Sequence, residues 1–172
     1  MTRAFLGVGS NIDPMDNVRS AIRLLGRHVH ILAISTFYRT KALGATGSPS
    51  FINGVIEIET EVPALDLKYR FLRPIEKKLG RHRSSDRNAP RPIDLDILVY
   101  GEQSIHSQGL VLPAPEIAER SFLAIPLCEL APDLILPGFG RTVREIANLF
   151  EVGQMERLDD FTEAIRKDIL HE

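Results

Sequence analysis

The chain has 172 residues, with 21 Lys plus Arg against 23 Asp plus Glu and a net charge of −2. That length fits a single domain spanning residues 1–172, long enough to bury about two thirds of its unfolded surface, and leaves no room for a second catalytic domain. The mildly acidic balance excludes a general nucleic-acid-binding surface, the lone Cys128 excludes a disulfide framework, and the absence of a signal-peptide layout or of an apolar run near about 18 residues points to a cytoplasmic protein that makes no membrane contact.

Ala4 to Gly9 reads as a short buried strand, and Gly7-Val8-Gly9-Ser10 as a tight turn after it, because the third glycine of a dinucleotide-binding fingerprint is missing. Asp13-Pro14 opens a helix whose apolar face carries Met15, Val18, Ile22 and Leu25. A second strand is expected from Ile31 to Tyr38, followed by a glycine-bearing loop from Lys41 to Ser50 of the kind that often carries function. Phe51 to Thr60 alternates with period two, placing Ile52, Ile56 and Ile58 on one face and Phe51, Asn53, Val55, Glu57 and Glu59 on the other. A second helix runs from about Ala64 to Leu79, with Leu65, Leu72 and Leu79 as its buried stripe and Pro74 as a predicted kink. The fourth strand starts near Asp94. From Val143 onward the pattern is helical, with Phe161, Ile165 and Ile169 spaced by four, so the last twenty or so residues read as a helical extension. The order β, α, β, β, α, β matches a ferredoxin-like α+β fold, an antiparallel sheet with helices on one face and the other face left available.

The chemistry concentrates between Arg81 and Asp96. Arg81, Arg83, Arg87 and Arg91 against Asp86 give residues 81–91 a net charge of +3, and guanidinium groups fork onto phosphate oxygens while staying charged at any relevant pH. Asp94 and Asp96 project from one face of the strand about 6 to 7 Å apart, and a carboxylate pair of that kind raises its own proton affinity unless a cation neutralises it. Mg²⁺ suits the position, taking one or two carboxylates and completing its shell with water and phosphate oxygens. Read separately, the basic loop is also consistent with a solvated surface and Asp-Leu-Asp with a half-exposed sheet face; opposite charges set in sequence point to a bound polyphosphate and a divalent ion. Cys128, in an apolar run, reads as a buried small hydrophobe, and the histidines show no ligand spacing.

The chain resembles the 6-hydroxymethyl-7,8-dihydropterin pyrophosphokinase family. The likeness rests on Phe5 to Asn11, Ser35 to Thr40, Phe51-Ile52-Asn53, Ile75-Glu76, Leu79-Gly80-Arg81 and, most specifically, Pro90-Arg91-Pro92-Ile93-Asp94-Leu95-Asp96. Downstream, Glu119-Arg120-Ser121-Phe122, Pro126-Leu127 and Leu130-Ala131-Pro132 extend it. The resemblance implies transfer of diphosphate from ATP to a reduced hydroxymethylpterin, giving AMP and the pterin diphosphate in folate biosynthesis. It implies two Mg²⁺ ions on Asp94 and Asp96, with Arg81 and Arg91 against the transferring group. It implies a pterin site of Thr40, Leu43, Phe51, Asn53 and Phe122, and ATP contacts from Arg73, Glu76, Arg81, Arg83, Arg87 and Arg91. The loop from His82 to Ala89 is expected to close over bound ATP.

The sequence departs from the family where Ala114 replaces an expected histidine, Gly109 a frequently basic residue, and Asn88 a tryptophan found in some members. A pterin-binding paralogue with altered nucleotide specificity is therefore a second reading, and a ferredoxin-like nucleic-acid module a third. Phe51 and Phe122 are also compatible with simple core packing. Oligomeric state stays open between monomer and weak dimer.

Overall fold

The structure is a computed structural model that describes residues 1–40, 49–82, 89–151, 153 and 155–170. Its centre is a six-stranded sheet in which every pairing is antiparallel. Strand β1 (Thr2–Ser10) lies between β4 (Phe51–Thr60) and β5 (Asp94–Tyr100), and the far edge of β4 is shared by β2 (His30–Ile34) and β3 (Tyr38–Thr40). A hairpin of β6 (Ile105–Ser107) and β7 (Leu110–Leu112) stands apart, and β8 (Glu156–Arg157) extends the sheet beyond β3. Counting β2 and β3 together, this is the ferredoxin-like strand order expected from the sequence.

One face of the sheet is closed by three helices: α1 (Pro14–Leu25), α2 (residues 64–78) and a C-terminal helix (Asp159–Leu170). Leu6, Val8, Ile52, Ile56, Ile58 and Leu95 pack there against Val18, Ile22, Leu25, Leu67, Leu72 and Ile165. Each large side chain fully buried in this layer contributes about 1.5 to 3 kcal/mol of transfer free energy.

The opposite face, expected to remain available, is half covered. A 3₁₀ turn (Pro115–Ala118), α3 (Ser121–Leu130) and α4 (Val143–Ala147) bury Ile117, Ala124, Leu127, Val143 and Ile146 against Phe5, Val55, Leu98 and Val99. Cys128 is only half-buried at the margin of that cluster, and burial pushes its thiol up. The C-terminal helix becomes α5; its Phe161 and Ile165 are spent in the chain's own core. No helix among the described residues is long and apolar enough to cross a membrane.

Several expectations are corrected. Gly7 to Ser10 belong to β1 and make no turn. The second strand breaks at Ser35-Thr36-Phe37, where side chains from distant helices replace strand partners: Glu129 accepts from the Thr36 N–H at 2.9 Å and Thr162 Oγ1 from the Phe37 N–H at 2.9 Å. Met15 and Leu65 are exposed, and Leu79 is only half-buried. In α2 the α-helical segments Ala64–Asp66 and Arg73–Lys78 flank a π turn, Leu67–Leu72, in which the Arg73 N–H reaches back to the Lys68 carbonyl. The wider turn places an extra residue ahead of Pro74, whose missing N–H would otherwise interrupt the ladder, and it moves the buried stripe to Ala64, Leu67, Leu72 and Ile75.

Gly54 sits beneath the Phe37 ring, where an added Cβ would lie 2.6 Å from Cε1. The ring is fully buried and packs edge-on against Phe161 at 5.7 Å, so it has little room to retreat. Gly54→Ala is expected to cost about 1 to 3 kcal/mol, read as a lower urea midpoint at unchanged slope. An unshifted midpoint would contradict this packing.

Candidate functional site

The uncovered half of the second face is a cavity of about 460 Å³, within the range of small-molecule sites. Its floor follows from strand register. Gly9 of β1 is paired on one side with Asn53 of β4 and on the other with Asp94 of β5, and Gly7 is paired with Asp96. Residues directly opposite one another share a face, so Asn53, Asp94 and Asp96 project together around two residues without side chains. At Gly9 the bare floor is required, because a Cβ there would meet Asn53 Oδ1 at 2.5 Å. Asn53 is buried and donates to Thr40 Oγ1 at 3.0 Å, which fixes its amide.

The segment leading into β5 is pinned to the end of β1. Asn11 N–H donates to the Arg91 carbonyl at 3.0 Å, the Arg91 N–H donates to Asn11 Oδ1 at 2.5 Å, and Ser10 Oγ donates to the Pro92 carbonyl at 2.5 Å. From the other side, Glu76 of α2 reaches β5. Buried, it accepts from the Leu95 N–H at 2.9 Å, from Arg73 at 2.8 Å and from Arg81 at 2.5 Å. Arg81 passes the contact on to Asp94 Oδ1 at 2.8 Å, and Arg91 meets Asp94 Oδ2 at 3.2 Å. Arg73 lies 3.7 Å from Asp96 Oδ1 and donates to the Leu95 carbonyl at 3.2 Å.

The aspartates therefore differ electrically. Against the desolvation of its position, the Arg81 and Arg91 guanidiniums hold the Asp94 carboxyl below the usual carboxylate range. Asp96, recessed in the cavity although solvent still reaches about half of its side chain, is pushed up to about 7 by desolvation and by the Asp94 charge. Against the opposing effect of burial, the charges of Asp94 and Glu76, with a smaller share from Asp96, raise Arg81 further above its ordinary value, so it stays a cation. Among the described residues no three His, Cys, Asp or Glu side chains converge on one point as a metal cage. Two carboxylates on one face with open volume beside them instead fit an ion such as Mg²⁺, which fills its remaining positions with water and phosphate oxygens.

Of the residues singled out in the sequence, Asn53, Arg73, Asp94, Asp96 and Phe122 line the cavity. Thr40 stands behind Asn53. Arg81, Arg91 and Glu76 form a supporting layer that braces the aspartates and is absent from the lining. Phe51, half-buried at the start of β4 and paired with Thr40, is likewise absent from the lining, so the aromatic pair with Phe122 is not brought together in this state. Leu43, Arg83, Arg87 and Asn88 lie outside the described residues, as does most of the loop expected to close. Gly109 and Ala114 do line the cavity. Lys68 and Arg120, not singled out as site residues in the sequence, line it too. Arg120 falls in the Glu119-Arg120-Ser121-Phe122 segment that extends the family likeness, whereas nothing in the local pattern of Lys68 sets it apart from an ordinary surface cation.

A profile of the 7,8-dihydro-6-hydroxymethylpterin-pyrophosphokinase family matches residues 5–132. The chain is 34% identical over 162 residues to the 2-amino-4-hydroxy-6-hydroxymethyldihydropteridine pyrophosphokinase of Haemophilus influenzae, covering 92% of this chain and 99% of that one. It is 38% identical over 162 residues to the protein of the same name from Methylorubrum extorquens, covering 92% and 100%. Among solved structures, Plasmodium falciparum HPPK-DHPS with pteroate superposes with a TM-score of 0.70 at 13% identity, a likeness of fold over 86% of this chain; the match spans 44% of that longer chain.

The raised Asp96 carboxyl sets a pH dependence. Between an unfolded value near 3.8 and a folded value of about 7 the native state holds the extra proton, so this group's contribution to stability falls as pH rises across that window and levels off above it. Asp96→Asn removes the effect. Without added metal, its melting temperature is expected to exceed the parent's more at pH 8 than at pH 5, and a difference independent of pH would refute the raised value.

Proposed function

Since the chain belongs to the 7,8-dihydro-6-hydroxymethylpterin-pyrophosphokinase family, diphosphotransferases of folate biosynthesis that use ATP, we propose how its cavity divides the work of moving diphosphate from ATP to a reduced 6-hydroxymethylpterin. The observation that carries the assignment is the shared face of Asn53, Asp94 and Asp96 around the bare glycine floor. We propose that residues 1–172 act as one pyrophosphokinase domain with α5 as an extension, working in the cytoplasm without nucleic acid, as a monomer or weak dimer.

In this reading the pterin lies flat over Gly7 and Gly9. Asn53, its amino group already committed to Thr40, offers its carbonyl oxygen to the ring's donors, and Phe122 stacks on one ring face. Phe51 would complete the sandwich only after moving toward the cavity, and Leu43 belongs to the same proposed pterin site. Asp94 and Asp96 hold the magnesium, two ions in our proposal. When bound, Mg²⁺ neutralises the aspartates and the phosphate oxygens and withdraws charge from the transferring group.

The pterin hydroxymethyl oxygen attacks the β-phosphorus of ATP, and the bond from that phosphorus to the α,β-bridging oxygen breaks. AMP leaves with the bonding electron pair, and the hydroxyl proton passes to water. The protein's contribution is position and charge, as in phosphoryl transfer generally. Arg91 and Arg81, which grip Asp94 from the layer behind the cavity, are proposed to lend their positive charge toward the phosphates. Arg73 faces the cavity, Glu76 acts on the nucleotide only through the arginines it holds, and Arg83 and Arg87 are proposed as further ATP contacts. Family membership and the acidic, occupied sheet do not favour a nucleic-acid module: Glu57, on the face such a module would use, is buried and pairs with Arg3 at 2.6 Å. Gly109 and Ala114 keep altered nucleotide affinity as the one observation favouring a drifted paralogue.

Purified protein with ATP, Mg²⁺ and reduced hydroxymethylpterin is expected to release AMP only when the pterin alcohol is present, as followed by nucleotide chromatography. Asp94→Ala and Asp96→Ala are each expected to lower turnover by about 100-fold or more. Near-full activity of Asp96→Ala with Mg²⁺ present would remove the metal assignment.

A further inference from the structure

The cavity wall formed by residues 108–115 carries no cationic side chain of its own: Gln108, Gly109, Leu110, Val111, Ala114 and Pro115 line it. A positive charge comes to that wall from α2. Lys68 Nζ donates to the Gly109 carbonyl, and Lys68 itself lines the cavity. The approach is close. A Cβ at position 109 would lie 1.9 Å from Tyr69 Oη, so a side chain there would have to push the exposed Tyr69 ring aside. Lys68 also opens the π turn, its carbonyl taking the Arg73 N–H, so the widened helix delivers both cations to the cavity.

The two cations are not equivalent. Arg73 is held by the buried Glu76 at 2.8 Å and by the Leu95 carbonyl at 3.2 Å, contacts that fasten α2 to β5. Lys68 donates to the neutral Gly109 carbonyl and has the Tyr69 ring centroid 5.4 Å from its ammonium, and an ammonium is held more strongly by an anionic phosphate oxygen than by a neutral carbonyl because opposite charges attract. An ammonium on a flexible four-carbon stem can change partner without moving the helix.

We propose that Lys68 is a nucleotide-contacting residue whose ammonium turns from the Gly109 carbonyl to the phosphate tail of ATP, giving this wall the charge that residues 108–115 lack. The assignment rests on the pyrophosphokinase reading and adds to it a determinant of ATP affinity.

The test measures binding of α,β-methylene ATP with Mg²⁺ by calorimetry, alongside steady-state kinetics, for the parent, Lys68→Ala, Lys68→Gln and Lys68→Arg. Glutamine keeps a donor for the Gly109 carbonyl and discards the charge, so it separates packing from phosphate contact. Alanine and glutamine are each expected to weaken analogue binding and raise the KM for ATP by about tenfold, with the KM for the pterin unchanged. Arginine should restore binding to within about threefold of the parent. Parent-like analogue binding by Lys68→Gln overturns the proposal, and so does parent-like binding by Lys68→Ala. A parent that binds the analogue but makes no AMP sinks the pyrophosphokinase reading alone, and the calorimetry still judges Lys68. A parent that does not bind the analogue sinks both.

Discussion

The site hangs on one buried carboxylate. Glu76 accepts from the Leu95 backbone N–H and from the guanidiniums of Arg73 and Arg81, and so ties α2 to the strand that carries both aspartates. Breaking such an arrangement by deleting one partner is costly, on the order of 3 to 5 kcal/mol, because the charges left behind remain buried. Its value is geometric. With Arg81 held from behind, Asp94 meets a cation of fixed position, and the two aspartates acquire unequal proton affinities although they are neighbours on one strand.

The sheet divides its labour by face. One side is sealed by α1, α2 and α5, and its apolar residues supply stability. On the other side α3 and α4 close only one half, and the exposed half begins where β1 turns from Phe5 to the glycines at positions 7 and 9. A cavity forms because side chains are missing from the floor while larger ones stand on the strands to either side. The rigid sheet thus sets the spacing between Asn53 and the aspartates, and no loop needs to hold them apart.

Much of this was legible in the sequence because period-two alternation dominates where a strand separates two environments. The Ile52, Ile56 and Ile58 face and the common direction of Asp94 and Asp96 both follow from it. Elements decided by distant partners were not legible. The interruption at Ser35 to Phe37 is satisfied by Glu129 and Thr162, far along the chain, and the buried stripe of α2 moved because a π turn adds a residue that helical counting cannot anticipate. Glu76 stood out through the family likeness, but its burial and the donors it gathers from β5 and from two arginines could not be read from the helix pattern. Lys68 was inconspicuous, since a lone cation on a helix surface has no local mark of function.

The interrupted edge strand also bears on biosynthesis. The backbone N–H groups of Thr36 and Phe37 find acceptors on residues made roughly a hundred positions later, so a nascent chain leaving the ribosome carries this edge open until α3 and then α5 have emerged. Such distant closures make folding slower than local contacts would allow. The sheet that will hold the reacting groups is consequently finished last at its outer margin, and by the segment farthest from the chemistry.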